Sequence, residues 1–237
     1  MNVYLYQNST EKILKNAYIW WYDWTPNANT LLYLEFNNNL NDSSGNSRNA
    51  TNSWSISYLS NPSAVTLSQS SYLYVNNMPN FAYDWTFNCW VKRTWTLSWW
   101  NSSHLLTQWS PSAIKELFIG IYNTWYIQLE TYAGMSSYTW GTIQMNLNEW
   151  YNISVTYNYS TKKWRTYVNW DLDNSWIDTT TYAINWTTAY IWAFAWYPND
   201  TNYRLKGNVS KYIVENKEWS STDVKMYFHQ TKSNYWL

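Results

Sequence analysis

The chain has 237 residues, with 15 Lys and Arg balancing 15 Asp and Glu, and only 13% of its residues are charged, about half the usual quarter. This length suits one large all-β domain or two small ones. The absence of a basic stripe argues against a nucleic-acid footprint, and no apolar run approaches the ~18 residues of a membrane helix. The basic pairs Lys92-Arg93 and Lys162-Lys163 read as solvated strand ends or turns. A lone cysteine, Cys89, can form neither an internal disulfide nor a zinc site by itself. It lies in an alternating run and is expected to be a small core residue. His104 and His229 fall in no metal or triad pattern.

In chain order, residues 1–28 read as a lead-in arm or linker. Tyr4-Leu5-Tyr6 and Ile13-Leu14 could form a short hairpin or an arm, and Pro26 punctuates its end. A disordered tail and a tether to a neighbouring domain both fit this composition. The first residues lack the basic start and long apolar stretch of a secretory signal. That fits a cytosolic chain, a virion part, or a fragment of a longer exported protein.

Residues 29–237 carry short period-two segments separated by polar turns. They are 31–36, 71–75, 85–92, 117–122, 125–130, 151–157, 164–168 and 189–194. Alternation rich in Val, Ile, Thr and aromatics predicts strands, and their regular spacing predicts a sandwich or barrel rather than βαβ units. Trp90, Val91, Leu117, Ile119, Ile153, Val155, Tyr167 and Ile191 are the expected core. One helix is predicted at the C-terminus. Ser220-Ser221-Thr222-Asp223 supplies a hydroxyl cap and an early acid, and Val224, Tyr227 and Phe228 follow at helical spacing. The predicted fold is therefore all-β, a two-sheet antiparallel jelly-roll β-sandwich with one short C-terminal helix.

The order of these segments resembles a known family. LLYLEFNNNLNDSSGNSRNAT (31–51), WTFNCWVKR (85–93), NEWYNISVTYNYSTKKWRTYVNW (148–170) and LKGNVSKYIVENKEWSSTDVKMYF (205–228) are similar to successive pieces of laminin-G-like domains of the concanavalin A-like lectin and glucanase superfamily. The resemblance implies a recognition module, commonly for glycans, with calcium as an occasional cofactor.

Hydrolytic members of that superfamily carry paired carboxylates along one strand, and two carboxylates at fixed separation are what glycoside cleavage needs. No such run exists here. Asp171 and Asp173 follow Val168-Asn169, where a hairpin turn is expected, so no catalytic residues are assigned. For calcium, a hard cation that takes six to eight oxygen ligands, Asp42 and Asp200 are the candidates. Both also suit loops closed by their own side chains. Tyr132, Tyr138, Tyr197 and Asn199 are the candidate glycan contacts, an aromatic face and a side-chain amide placed in expected loops or strand ends. Two functional readings stay open. One is a carbohydrate-binding adhesion module of a surface or secreted protein. The other is a structural accessory domain of a phage virion or cell appendage that contacts other proteins.

The composition holds one further signal. There are 21 Trp and only 5 Gly, against an ordinary glycine share of about 7%. Trp170, Trp192 and Trp196 stand where the resembled family has small residues, and Trp109, Trp140, Trp176 and Trp186 lie in turn-like settings. Trp90 and Trp150 stand where that family has tryptophan. An alternative genetic code reading UGA as glycine would produce this pattern, and so would an aromatic-rich adhesive surface. No tryptophan is therefore assigned as a sugar platform.

Overall fold

Each alternating segment forms a strand among the described residues; residues 125 and 192–194 of the predicted segments lie outside them. The structure, a computed structural model, describes residues 24–68, 70–79, 83–95, 102–110, 115–122, 126–133, 136–178, 188–191 and 206–236. In chain order the strands are β1 (Thr30–Leu34), β2 (Ala50–Asn52), β3 (Ser57–Ser60), β4 (Ser63–Leu67), β5 (Leu73–Asn76), β6 (Trp85–Arg93), β7 (Ser102–Ser110) and β8 (Lys115–Tyr122). They continue with β9 (Ile127–Ala133), β10 (Ser136–Trp140), β11 (Trp150–Asn158), β12 (Lys163–Val168), β13 (Asp171–Ile177), β14 (Thr188–Ile191) and β15 (Gly207–Glu215). One sheet runs β13-β12-β11-β6-β15-β4-β3, with β1 also paired to β15; the other runs β10-β9-β8-β7-β14-β5-β2. The pairings within both sheets are antiparallel. This is the two-sheet sandwich that the alternation predicts. Among the described residues, no helix is long and apolar enough to cross a membrane.

The inner faces make the main core. Phe87, Cys89 and Val91 of β6, Ile153, Val155 and Tyr157 of β11, and Val209, Tyr212 and Val214 of β15 pack with Leu117, Ile119, Leu129 and Ile191 of the facing sheet. Burial drives the Cys89 thiol pKa well up, so this cysteine is inert packing.

Two of the expected core residues belong to a second buried layer. Trp90 and Tyr167 point to the outer face of the eight-stranded sheet and join a second apolar cluster with Tyr33, Trp150, Ile213 and Trp219. Its cover is helix α1 (Ser221–Thr231), whose Val224, Tyr227 and Phe228 are buried. Ser220 caps the helix, and its capping box with Asp223 satisfies the first orphan backbone donors. The helix runs three turns rather than the two read from sequence. Past it, Tyr235 stacks on Trp90 at 3.9 Å between ring centres, and the Trp90 indole donates to Thr231 Oγ1 at 3.1 Å. Trp24 of the expected lead-in segment packs here too, edge-on to Tyr33 and Tyr227, with its backbone N–H on Gln230 Oε1 at 2.9 Å.

The central strands of this sheet are therefore buried on both faces, and they carry polar residues that pair with one another. Asn88 and Asn152 exchange amide hydrogen bonds of 3.1 and 3.2 Å, and Asn88 also donates to Ser154 Oγ at 2.6 Å. Reciprocal pairing keeps buried amides from the cost of unmet hydrogen bonds.

The hairpin between β12 and β13 turns where the sequence places it, after Val168. Its turn is Asn169-Trp170 alone, so Asp171 and Asp173 lie on β13 and not in the turn. Asn169 takes a φ of 59°, but Trp170 is not in the left-handed region. The two-residue turn with positive φ at both positions is thus not formed. The Trp170 ring instead lies over Phe228 and His229, 4.4 and 5.1 Å between centres.

Candidate functional site

The carboxylates are committed to the fold. Asp173 is 6% exposed. Its Oδ1 accepts the backbone N–H groups of Thr142 and Ile143 at 2.6 and 2.7 Å, and Oδ2 accepts from Thr166 Oγ1 at 3.4 Å. The fit requires Gly141, where a Cβ would stand 1.9 Å from Asp173 Oδ2. Asp171 is exposed at the start of the same strand. The pair therefore comprises one exposed carboxylate and one fully engaged one, not two that could share acid and nucleophile roles.

Asp42 is engaged in a similar way. Its Oδ1 accepts from the N–H groups of Tyr33 and Ser44, at 3.0 and 2.9 Å, and its Oδ2 from Ser44 Oγ and the Arg48 N–H, at 2.8 and 3.0 Å. Arg48 completes the loop by donating to the carbonyls of Leu31 and Asn77, at 2.6 and 2.9 Å. Donors, not further oxygen ligands, thus surround the carboxylate. Asp200 lies outside the described residues. Among the described residues, no three His, Cys, Asp or Glu cluster in a way that would hold a metal ion.

Of the candidate glycan contacts, Tyr197 and Asn199 also lie outside the described residues. The backbone brings Tyr132 and Tyr138 to one hairpin, β9–β10, at the edge of the seven-stranded sheet. Tyr132 pairs with Glu116 and Ser136, and Tyr138 with Glu130. Tyr138 is therefore mid-strand rather than in a loop.

The structure assembles a different set of tyrosines on the outer face of this sheet. On β14, Ala189 and Ile191 enter the core, so Tyr190 points outward. On β5, Leu73 and Val75 do the same and Tyr74 faces out. Tyr74 and Tyr190 are register partners, and Tyr72 stands two residues before Tyr74. Their ring centres form a near-equilateral triangle with sides of 6.1, 6.4 and 6.4 Å, and the planes are tilted by 41–48°. All three rings are half-buried. Burial raises the Tyr190 pKa, and Tyr72 and Tyr74 add to the rise, so its phenol stays protonated at neutral pH. Thr188 Oγ1 donates to Asn76 Oδ1 at 2.9 Å on the rim.

Further in on the same face, buried His104 lies 4.1 Å from the Phe118 ring and shares a 3.3 Å hydrogen bond with Thr107. Burial pushes its pKa down to about 3. The neutral imidazole is thus a structural part of the face.

Clustered tyrosine rings offer apolar ring faces and phenol hydroxyls together, at low entropy cost because tyrosine has few rotatable bonds. The cluster was not assigned from sequence because Tyr74 and Tyr190 are far apart along the chain. Only the β5–β14 register joins them.

Neither a family model nor a curated protein sequence matches the chain. Solved structures share its fold. The binding domain of Paraclostridial Mosquitocidal Protein 1 is 14% identical with a TM-score of 0.69, the match covering 84% of this chain and 52% of that one. The binding domain of botulinum neurotoxin DC, solved in complex with rat synaptotagmin II, is 13% identical with a TM-score of 0.69, covering 85% and 52%. Domain 4 of AbnA, an extracellular GH43 arabinanase from Geobacillus stearothermophilus solved with arabinotriose, is 14% identical with a TM-score of 0.65, covering 83% and 97%. The chain spans about half the length of the two toxin domains and almost all of the arabinanase domain. At these identities the likeness shows the fold, a β-sandwich.

Proposed function

We propose that this chain is a non-catalytic recognition module of a surface or secreted protein. On this reading it is a laminin-G-like member of the concanavalin A-like group, and it binds glycan on the outer face of its seven-stranded sheet. The observation that carries the reading is the Tyr72–Tyr74–Tyr190 triangle, which matches the apolar face and hydroxyl edge of a sugar ring. The arabinanase domain, a fold neighbour along nearly its whole length and solved with a trisaccharide, supports the same ligand class. The engagement of Asp173 by the backbone of Thr142 and Ile143 supports binding without hydrolysis.

The test is a glycan-array screen, arabinotriose included, with and without calcium, on the wild-type chain and on Tyr74→Ala and Tyr190→Ala. Retention of a glycan that either variant weakens by about ten-fold, with no reducing sugar released, is the expected result. Loss of one aromatic stacking partner at about 1–1.5 kcal/mol sets that scale. A chain that retains no glycan, or whose variants bind like wild type, would overturn the reading. Capture of a purified receptor ectodomain by such a chain would instead establish a protein partner.

A further inference from the structure

On the opposite side of the sandwich, a second concavity opens between β12, β13 and the start of α1. It has a volume of about 440 Å³ and is lined by Arg165, Tyr167, Leu172, Glu218, Trp219 and Ser220. This is within the usual range of small-molecule sites.

The lining has a definite chemistry. Arg165 Nη1 pairs with Glu218 Oε1, and Asn158 Nδ2 donates to Glu218 Oε2 at 2.7 Å. The two charges thus cancel within the wall, and both side chains keep some exposure, 30% for Arg165 and 19% for Glu218. An anion would have to displace Glu218 from Arg165, and a cation would have to displace Arg165 from Glu218. The helix start offers an anion no better purchase. Asp223 N–H already donates to Ser220 Oγ, and Ser220 N–H to Asp223 Oδ2. The concavity is therefore suited to a neutral ligand.

The same pair nevertheless presents a fork of guanidinium donors beside carboxylate acceptors, which matches the alternating donors and acceptors of adjacent hydroxyl groups. Under Arg165 its register partner Thr156 holds a buried hydroxyl with no hydrogen-bond partner among the described residues. Leu172 supplies an apolar lip. It is 55% exposed and stands on the same face as Tyr167, its register partner, beside a bulge in the β12–β13 pairing.

We infer that this concavity is a second saccharide site, taking one or two neutral sugar rings. Vicinal hydroxyls bridge Arg165 and Glu218, and the ring face rests on Leu172. The ligand class, though not the position, rests on the glycan reading above. A module with one site on each outer face would hold two glycan chains or two segments of one.

The test is a titration of the isotope-labelled full chain with arabinotriose, maltotriose and inorganic phosphate, followed by amide resonances. The expected result is that a neutral trisaccharide shifts Leu172, Ser220 and Ser221. Leu172→Asp, at an exposed position that leaves folding intact, and Glu218→Gln should each weaken that effect by about ten-fold, the loss of one charge-assisted hydrogen bond or an equal packing loss. Thermal melts confirm that both variants are folded. Sugar shifts confined to Tyr74 and Tyr190 would overturn this site and leave the proposed function standing. Shifts confined to the concavity would do the reverse, and no sugar shift at either face would overturn both. Stronger shifts with phosphate at Ser220 and Ser221 would replace the saccharide assignment with an anion site.

Discussion

The contact between Asp173 and Gly141 gives the sharpest test of the fold around β13. Asp173→Ala leaves the N–H groups of Thr142 and Ile143, now 2.6 and 2.7 Å from the carboxylate, without acceptors. Hydrogen bonds to charged groups contribute roughly 1.5–3 kcal/mol each. Some water reaches the 6% exposed site, so the expected loss is about 3 kcal/mol, a large share of a total of roughly 5–15 kcal/mol. Gly141→Ala should cost a similar amount by a different route, because its Cβ would lie 1.9 Å from Oδ2 and expel the carboxylate from the same bonds. In the double variant, Gly141→Ala with Asp173→Ala, the new methyl occupies space the carboxylate has left. Its loss should equal that of Asp173→Ala alone to within about 0.5 kcal/mol, whereas independent sites would add. Urea titrations read this from midpoints at constant slope. Additive losses, or a loss below about 1 kcal/mol for Asp173→Ala, would refute the reasoning.

Two further predictions follow from buried and engaged groups. His104 has a folded pKa of about 3 against ~6.5 unfolded, so the unfolded chain binds the extra proton between those values. Stability is full above pH 6.5 and falls as the pH drops through that window, by up to about 1.4 kcal/mol per pH unit; His104→Gln should flatten the slope, and an unchanged slope would exclude His104 as its source. Asp42 accepts four hydrogen bonds, so Asp42→Ala should cost about 2 kcal/mol, and millimolar calcium should leave the wild-type Tm where chelator leaves it. A rise of several degrees with calcium that Asp42→Ala abolishes would make the loop a calcium site instead.

Sequence reading works best where physics is local. Period-two alternation placed Ile153 and Val155, Leu117 and Ile119, because a sheet face buried on one side leaves that trace in any strand long enough to show it. The cap of α1 was visible because Ser220 and Asp223 are three residues apart. The same alternation also placed Trp90 and Tyr167 in the core, where they are 0% and 2% exposed. It did not show in which layer, because the central strands of the eight-stranded sheet are covered on both faces. Asp173 read as a turn residue because the chain next to it is a turn. Its true role depends on Gly141 and Thr142, brought beside it only by tertiary packing. The same limit hid the tyrosine triangle and the concavity of Arg165 and Glu218, whose members come from separate strands and from the connection ahead of α1. Tyr132 and Tyr138 read as loop or strand-end residues; Tyr132 lies near the end of β9, and β10 leaves no sequence signal because Ser136-Ser137 interrupts the apolar alternation there.

The excess of tryptophan over glycine yields a prediction that the structure sharpens. Of the tryptophans in turn-like or small-residue settings, Trp140, Trp170 and Trp176 have ring contacts with Tyr122, Phe228 and Trp164, and Trp186, Trp192 and Trp196 lie outside the described residues. The most buried and most exposed tryptophans differ sharply in surroundings. Trp85, Trp90, Trp164 and Trp219 are at most 2% exposed and have ring partners within about 6 Å. Trp54, Trp95 and Trp236 are 62%, 56% and 78% exposed. Trp236 also has a φ of 65° after the closing 3₁₀ turn, the place where a glycine normally ends a helix. The glycines that are present show what such positions require: Gly45 has a φ of 89°, and a Cβ on Gly207 would stand 2.2 Å from the Lys92 carbonyl oxygen. Burial gives the first group a physical reason to be tryptophan. In the second, Trp95 has Lys206 Nζ 4.9 Å from its ring centre, and at Trp236 a bulky side chain in the left-handed region costs about 1 kcal/mol. Trp236→Gly should therefore raise stability by up to about 1 kcal/mol, whereas Trp90→Gly should lower it by about 4 kcal/mol or more. If UGA is read as glycine in the native host, codons 54, 95 and 236 are UGA, codons 90 and 150 are UGG, and the native protein is lighter than a chain with 21 Trp. UGG at 54, 95 and 236, or a native mass that matches 21 Trp, would end the recoding idea and leave the exposed indoles as genuine surface.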